Sequence, residues 1–131
     1  MARRKRNKPT VNGFVYVLKI TIDYDVYYKI GTTNRTPRHR LLEIAGELYD
    51  ILGYIPKMTV MYSDQVRDNY QTESDILQST LNYIIKPDCI LYDRFNGYSE
   101  VRCMELEQLK EVYDRCVAKS YPVIQRQLIE M

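Results

Sequence analysis

Apolar, aromatic and β-branched residues run almost unbroken through FVYVLKITI, residues 14–22, with no glycine or proline among them. That run predicts a β-strand. The polar triplet DYD at 23–25 reads as a turn, and VYYKI at 26–30, closed by Gly31, predicts a second strand. Two strands joined so briefly form an antiparallel hairpin. GTTNRTP is a loop, in which Thr36 is placed to cap a helix that has Pro37 in its first turn. Leu41, Leu42, Ile44, Ala45, Leu48 and Ile51 then share one helical face. GYIP ends that helix, and KMTVMYS, 57–63, predicts a third strand. Residues 64–85 carry Tyr70, Glu73, Ile76, Leu77, Leu81 and Ile85 at helical intervals and predict a long second helix. Residues 86–100 are a turn-rich connection with room for a short strand at CILY. A third helix is expected over 101–119, on the stripe Met104, Leu106, Leu109, Val112, Tyr113 and Cys116. A short final helix is expected after Pro122.

This order is not the β–α alternation of a parallel sheet. It predicts an α+β fold: a small three-stranded antiparallel sheet flanked by helices, with additional C-terminal helices. The 131 residues suit one domain with a self-supporting core. Residues 1–10 read as a basic arm, 11–105 as the main domain, and 106–131 as a helical extension packing on that domain.

Net charge is +2, but it is unevenly placed. Arg3, Arg4, Lys5, Arg6 and Lys8 crowd the start, leaving 14 cations against 17 acidic groups in the rest of the chain. Such an arm is drawn to phosphates without reading sequence. No apolar segment follows it in the manner of a signal peptide, and no run approaches a membrane span. Three widely spaced cysteines fit neither a disulfide framework nor a zinc site. An intracellular, non-membrane protein is the expectation.

Two short patterns carry the chemistry. FVYVLK is followed by YYKIGTTNRTPRHRLLEI, and a glutamate arrives later in GYSEV. In this order and spacing the chain resembles the GIY-YIG endonuclease superfamily, and most closely its KIG-containing branch, typified by the phage T5 Orf172 domain. The likeness runs from about residue 13 to 105. It implies that Tyr16, Lys29, Arg40 and Glu100 are catalytic and that Glu100 holds one Mg²⁺ or Mn²⁺ ion. Lys29 stands where the wider superfamily has a tyrosine. Tyr28, Gly31, Glu73 and Gln78 would support the site, with Gln78 in a slot held by histidine in many relatives. The partner implied is DNA, double-stranded, cut by a small enzyme of phage or mobile-element origin.

The residues suit that chemistry. A phosphodiester needs a positioned water and neutralised phosphoryl oxygens. One carboxylate can hold a hydrated Mg²⁺, and Arg40 can clamp a phosphate through paired donors. Lys29 asks less of its surroundings as a charged phosphate ligand than as a neutral base. Tyr16 would orient or deprotonate the water, the latter only with a lowered pKa. Side-chain alternation puts Tyr28 on the other sheet face. Thr33, Arg35, Arg38 and His39 lie where a loop and a helix start can meet the DNA backbone. Taken singly, each position has an ordinary reading: a packed tyrosine, a solvated lysine, a surface arginine, a capping carboxylate. Two other functions stay open: a nucleic-acid-binding module whose chemistry is weak or lost, and an interaction protein. The C-terminal helices are a possible homodimer face.

Overall fold

The computed structural model describes the backbone of residues 13–130 and the side chains of residues 13–120. The basic arm, with Arg3, Arg4, Lys5, Arg6 and Lys8, lies outside the described residues.

Strand β1, Phe14–Ile22, turns at Asp23 and Tyr24 into β2, Asp25–Thr33. Asp23 takes a left-handed conformation (φ 57°), which a short polar side chain tolerates. Helix α1, Pro37–Leu52, begins as expected: the Thr36 side chain accepts from the His39 N–H. It ends at Gly53, whose φ of 83° suits glycine, and whose N–H bonds Tyr49 O at 2.8 Å. Strand β3, Lys57–Gln65, is followed by helix α2, Asn69–Ser79. A 3₁₀ turn at Tyr98–Glu100 leads into the two-residue strand β4, Val101–Arg102, and helix α3 spans Leu106–Glu130.

The fold is α+β, with an antiparallel sheet and three helices. The sheet has four strands, ordered β3-β1-β2-β4, rather than the three expected. β4 lies where a helix start was expected. It is only two residues long, too short to show a period, and the helical stripe of α3 extends backward over it in sequence. Other boundaries also moved: β2 runs on through Gly31 to Thr33, where a loop was expected, because its ladder with β1 continues to the Phe14–Thr33 pair. The 64–85 helix is shorter, because β3 runs on to Gln65 and Asp68 caps α2 only there, accepting from the Gln71 N–H. Thr80 then closes α2 by turning its buried hydroxyl onto Ile76 O at 2.8 Å. CILY forms turns, not a strand. Helix α3 continues through Pro122 as one element, where a separate final helix was expected.

Both sheet faces are covered. Tyr16, Leu18, Ile20 and Ile22 of β1 pack on Ile44 and Leu48 of α1 and on Ile85, Leu91 and Phe95 of the connection. Val15 and Val17, with Tyr28 and Ile30 of β2, pack on Ile76 of α2 and on Leu109, Tyr113, Cys116 and Val117 of α3. A strand buried on both faces needs apolar residues at successive positions, which explains the run from Val15 to Leu18 in β1; Lys19 and Thr21, further along, are only half-buried. The Leu106–Val117 part of α3 thus contributes to the same core as the hairpin.

Candidate functional site

The site grows from one register position in the hairpin. Tyr16 of β1 pairs with Gly31 of β2, and Leu18 pairs with Lys29. Directly paired residues share a face, so Tyr16, Lys29 and Gly31 all face α1. The Tyr16 ring lies over Gly31. A Cβ at Gly31 would come within 2.5 Å of the Tyr16 Cζ, closer still to its hydroxyl oxygen, and 3.0 Å from Lys29 Nζ. The glycine of the KIG triplet is therefore the space that the tyrosine and the lysine occupy.

Lys29 is buried, 2% exposed. Its Nζ donates to Glu100 Oε1 at 2.9 Å and sits 5.7 Å from the centre of the Tyr16 ring. Glu100 reaches it from across the sheet edge, since Lys29 pairs with Val101 of β4, the next residue. The Glu100 side chain is one-third exposed, so the pair has a dry cationic end and a wetter anionic one. Gly97 makes room here as well: a Cβ there would stand 3.0 Å from Lys29 Cε and 3.4 Å from Glu100 Oε1.

The Tyr16 hydroxyl is buried and has no hydrogen-bond partner. Burial pushes its pKa up, against the pull of Lys29 and Arg40, with Glu100 and Glu73 adding to the rise. Tyr16 is thus a neutral phenol and a hydrogen-bond donor. The lowered pKa that a tyrosine base would need is absent, because desolvation outweighs the cations. Arg40, on α1, lies close enough to this hydroxyl for the two to attract each other, although the contact falls short of a well-formed hydrogen bond. Its Nη1 bonds Glu43 Oε1 at 3.0 Å. Burial lowers the Arg40 pKa, but Glu43 and Tyr16 more than offset this, so the guanidinium stays charged.

Tyr16, Lys29, Arg40, Gly31 and Glu100 are therefore neighbours. Glu73 is buried on α2 and close enough to bear on Tyr16. Gln78 is not brought in. It is exposed on α2, and five residues on a helix separate it from Glu73 by about 140°. Tyr28 faces the other side of the sheet, 6% exposed among Val17, Ile30 and Tyr113. Burial raises its pKa, with Tyr62 adding to the rise.

Beside this cluster the start of α1 is cationic and open. Arg35, Arg38 and His39 are exposed, and the first turn of α1 has no acidic residue. Thr33 Oγ1 accepts from the Arg35 N–H at 3.1 Å, and an Arg35 nitrogen meets His39 Nε2. His39 also lies 3.6 Å from Glu43. A helix N-terminus with such a rim suits an anion. A cavity of about 420 Å³ lies further along the same β2 face. Asp25, Tyr27, Tyr83, Cys89 and Cys103 help line it, and none of the four candidate catalytic residues does.

No group of three His, Cys, Asp or Glu residues is placed to hold a metal among the described residues. What the site offers an ion is one partly exposed carboxylate, Glu100, with Lys29 on one of its oxygens. That fits a Mg²⁺ that keeps most of its waters, and it does not fit an ion needing several protein ligands.

One neighbour escaped the sequence reading. Arg102 is 1% exposed and bonds the backbone on both sides of Glu100. A lone arginine in VRCMEL carries no signal unless β4 is recognised. No protein-family model matches the chain, and neither the curated proteins nor the solved structures gave a match.

Proposed function

We propose that the chain is a metal-dependent endonuclease that hydrolyses phosphodiester bonds in double-stranded DNA through a single-ion site. The observation that carries this reading is the Lys29–Glu100 pair, with its buried ammonium end, set against a Tyr16 hydroxyl that lacks a well-formed hydrogen bond, with Arg40 beside it. In this reading a phosphate enters from the Arg35–Arg38 side. Arg40 swings from Glu43 to clamp it, which costs little because that exposed pair is weak. Lys29, positioned by its bond to Glu100 Oε1, adds positive charge beside the scissile group. Tyr16 donates its hydroxyl hydrogen bond to a phosphoryl oxygen or to the attacking water, satisfying itself only when substrate is bound. Glu100 would hold the ion. When bound, the ion neutralises developing charge and supplies a more acidic water.

The test is nicking of supercoiled plasmid with Mg²⁺, Mn²⁺ or EDTA, for the wild type and Glu100→Ala. Metal-dependent nicking that vanishes in Glu100→Ala is the expected result. DNA retardation without nicking, equal in both proteins, overturns it. One observation favours that second reading, a binding module: Glu100 Oε1 already has Lys29 as its partner, so the carboxylate's task could be to fix a phosphate-binding lysine. The absence of any helix long and apolar enough to cross a membrane among the described residues is compatible with either.

A further inference from the structure

We propose that Arg102 is a positioning residue for Glu100, fixing the segment that carries the carboxylate against Lys29; this rests on the reading of Glu100 as the acting carboxylate. Arg102 Nη1 donates to Ser99 O at 2.7 Å and to Val101 O at 3.2 Å. These carbonyls belong to the residues on either side of Glu100. The other donors of the same guanidinium leave the loop: Nη2 reaches Leu77 O at 3.2 Å and Nε reaches Thr80 Oγ1 at 3.0 Å. Leu77 and Thr80 stand at the C-terminal end of α2, the helix that also carries Glu73. The planar fork therefore ties the Glu100 segment to α2 through a rigid, five-donor group.

This is a costly way to hold a loop unless its position matters. Arg102 is 1% exposed, and none of its bonds is to a carboxylate. Burial lowers its pKa, and Glu100 is the group that offsets the fall. The carbonyls at a helix C-terminus carry partial negative charge, which helps offset the buried cation. A lysine has donors but no fork, and a methionine has neither. The backbone adds a second constraint, since Arg102 pairs with Tyr28 while Val101 pairs with Lys29. Glu100 is thus located from the β2 side by the ladder and from the α2 side by the guanidinium.

The experiment compares the full chain as wild type, Arg102→Met and Arg102→Lys. Leu109→Ala is the control for lost stability alone, since Leu109 is buried on α3, on the other sheet face from Lys29. All are studied at a temperature where each stays folded. Plasmid nicking gives kcat and KM. Acetylation of Lys29, read by mass spectrometry, gives the tightness of its pairing with Glu100 independently of any activity. Losing a group that orients a ligand costs about 10–100-fold. Arg102→Met should therefore lower kcat at least tenfold with KM within about twofold, and label Lys29 about tenfold faster. Arg102→Lys should recover part of both, and Leu109→Ala should change neither. Should Arg102→Met fail to fold, Thr80→Val replaces it; it removes the Nε acceptor together with the hydroxyl's own bond to Ile76 O, and smaller changes in the same directions, beyond those of Leu109→Ala, are expected. A wild-type kcat in Arg102→Met, or Lys29 labelling no faster than in Leu109→Ala, overturns the proposal. A chain that nicks DNA in no form removes the nuclease reading instead, and the labelling alone then decides the role of Arg102.

Discussion

Tyr16→Phe separates what the Tyr16 hydroxyl does for the fold from what it does for function. The phenol is 2% exposed and its oxygen has no partner. Leaving a buried polar group unsatisfied costs about 1–3 kcal/mol. Phenylalanine keeps the ring over Gly31 and removes that cost, less a small loss of packing where the oxygen stood. A net gain of about 1 kcal/mol is expected, seen as a rise of about 3–6 °C in Tm for a domain of this size. In urea it appears as a midpoint shift of about 0.3–1 M without change in slope. Burial holds the Tyr16 pKa above its ordinary 10.0. The wild type therefore keeps this part of its stability below pH 10 and loses it as pH rises toward the folded value. The advantage of Tyr16→Phe should widen above pH 10. Function should move the other way. A hydrogen bond to a charged group contributes about 1.5–3 kcal/mol, so nicking should fall roughly 10- to 150-fold. A less stable Tyr16→Phe would show that the hydroxyl is already satisfied. Unchanged nicking would show that substrate does not use it.

Other outcomes follow from the same contacts. Gly31→Ala forces a Cβ into Tyr16 and should cost about 1–3 kcal/mol, by urea unfolding, as overpacking does. That cost should disappear in a Tyr16→Ala background, and an equal cost in both would mean that the glycine is needed for another reason. Lys29→Met removes a buried ammonium and lets the part-exposed Glu100 hydrate, so stability should stay within about 1 kcal/mol of wild type while nicking drops at least tenfold. Glu100→Leu strands the buried ammonium and should be the less stable variant, by about 1–3 kcal/mol after allowing for the exposure of Glu100. The reverse order refutes the pairing argument. Deleting residues 2–8 removes five cations and should flatten the slope of log affinity against log salt by up to about 4.5. An unchanged slope means that the arm touches no phosphate.

The parts of the fold legible in the sequence are those where one local rule acts alone. The hairpin was readable because the first half of β1 is buried on both faces and is apolar or aromatic throughout. The start of α1 was readable because Thr36 and Pro37 are cap chemistry, which needs no tertiary partner. β4 was hidden because its two residues exist as a strand only through pairing with β2. The end of α2 was hidden because Thr80 acts through a buried hydroxyl, and Thr in sequence marks nothing so specific. Around the candidate site, Tyr16, Lys29, Gly31 and Glu100 could be aligned by resemblance. The reason for Gly31 could not, since it requires the Tyr16 ring in place. Gln78 failed for a geometric reason: its spacing from Glu73 turns it to the opposite side of α2.

The same end of the sheet gathers choices that a fold alone would not favour. Lys29 and Arg102 are buried at 2% and 1% exposure, where apolar residues of similar size would serve stability as well or better. The Tyr16 hydroxyl is buried without a partner, and Gly31 gives up strand propensity to make room for it. Elsewhere in the hairpin local and global preferences agree: β-branched and aromatic residues fill both faces, and the turn uses a tolerant aspartate. Sequences that fold well are consistent across levels, and their exceptions concentrate where something other than folding is being optimised. Here Tyr16, Lys29 and Gly31 lie in contact with one another, and Arg102 bonds the backbone on both sides of Glu100, the partner of Lys29. Random drift would scatter them. Their clustering supports a chemical role for the Tyr16–Lys29–Glu100 group more strongly than any one residue does.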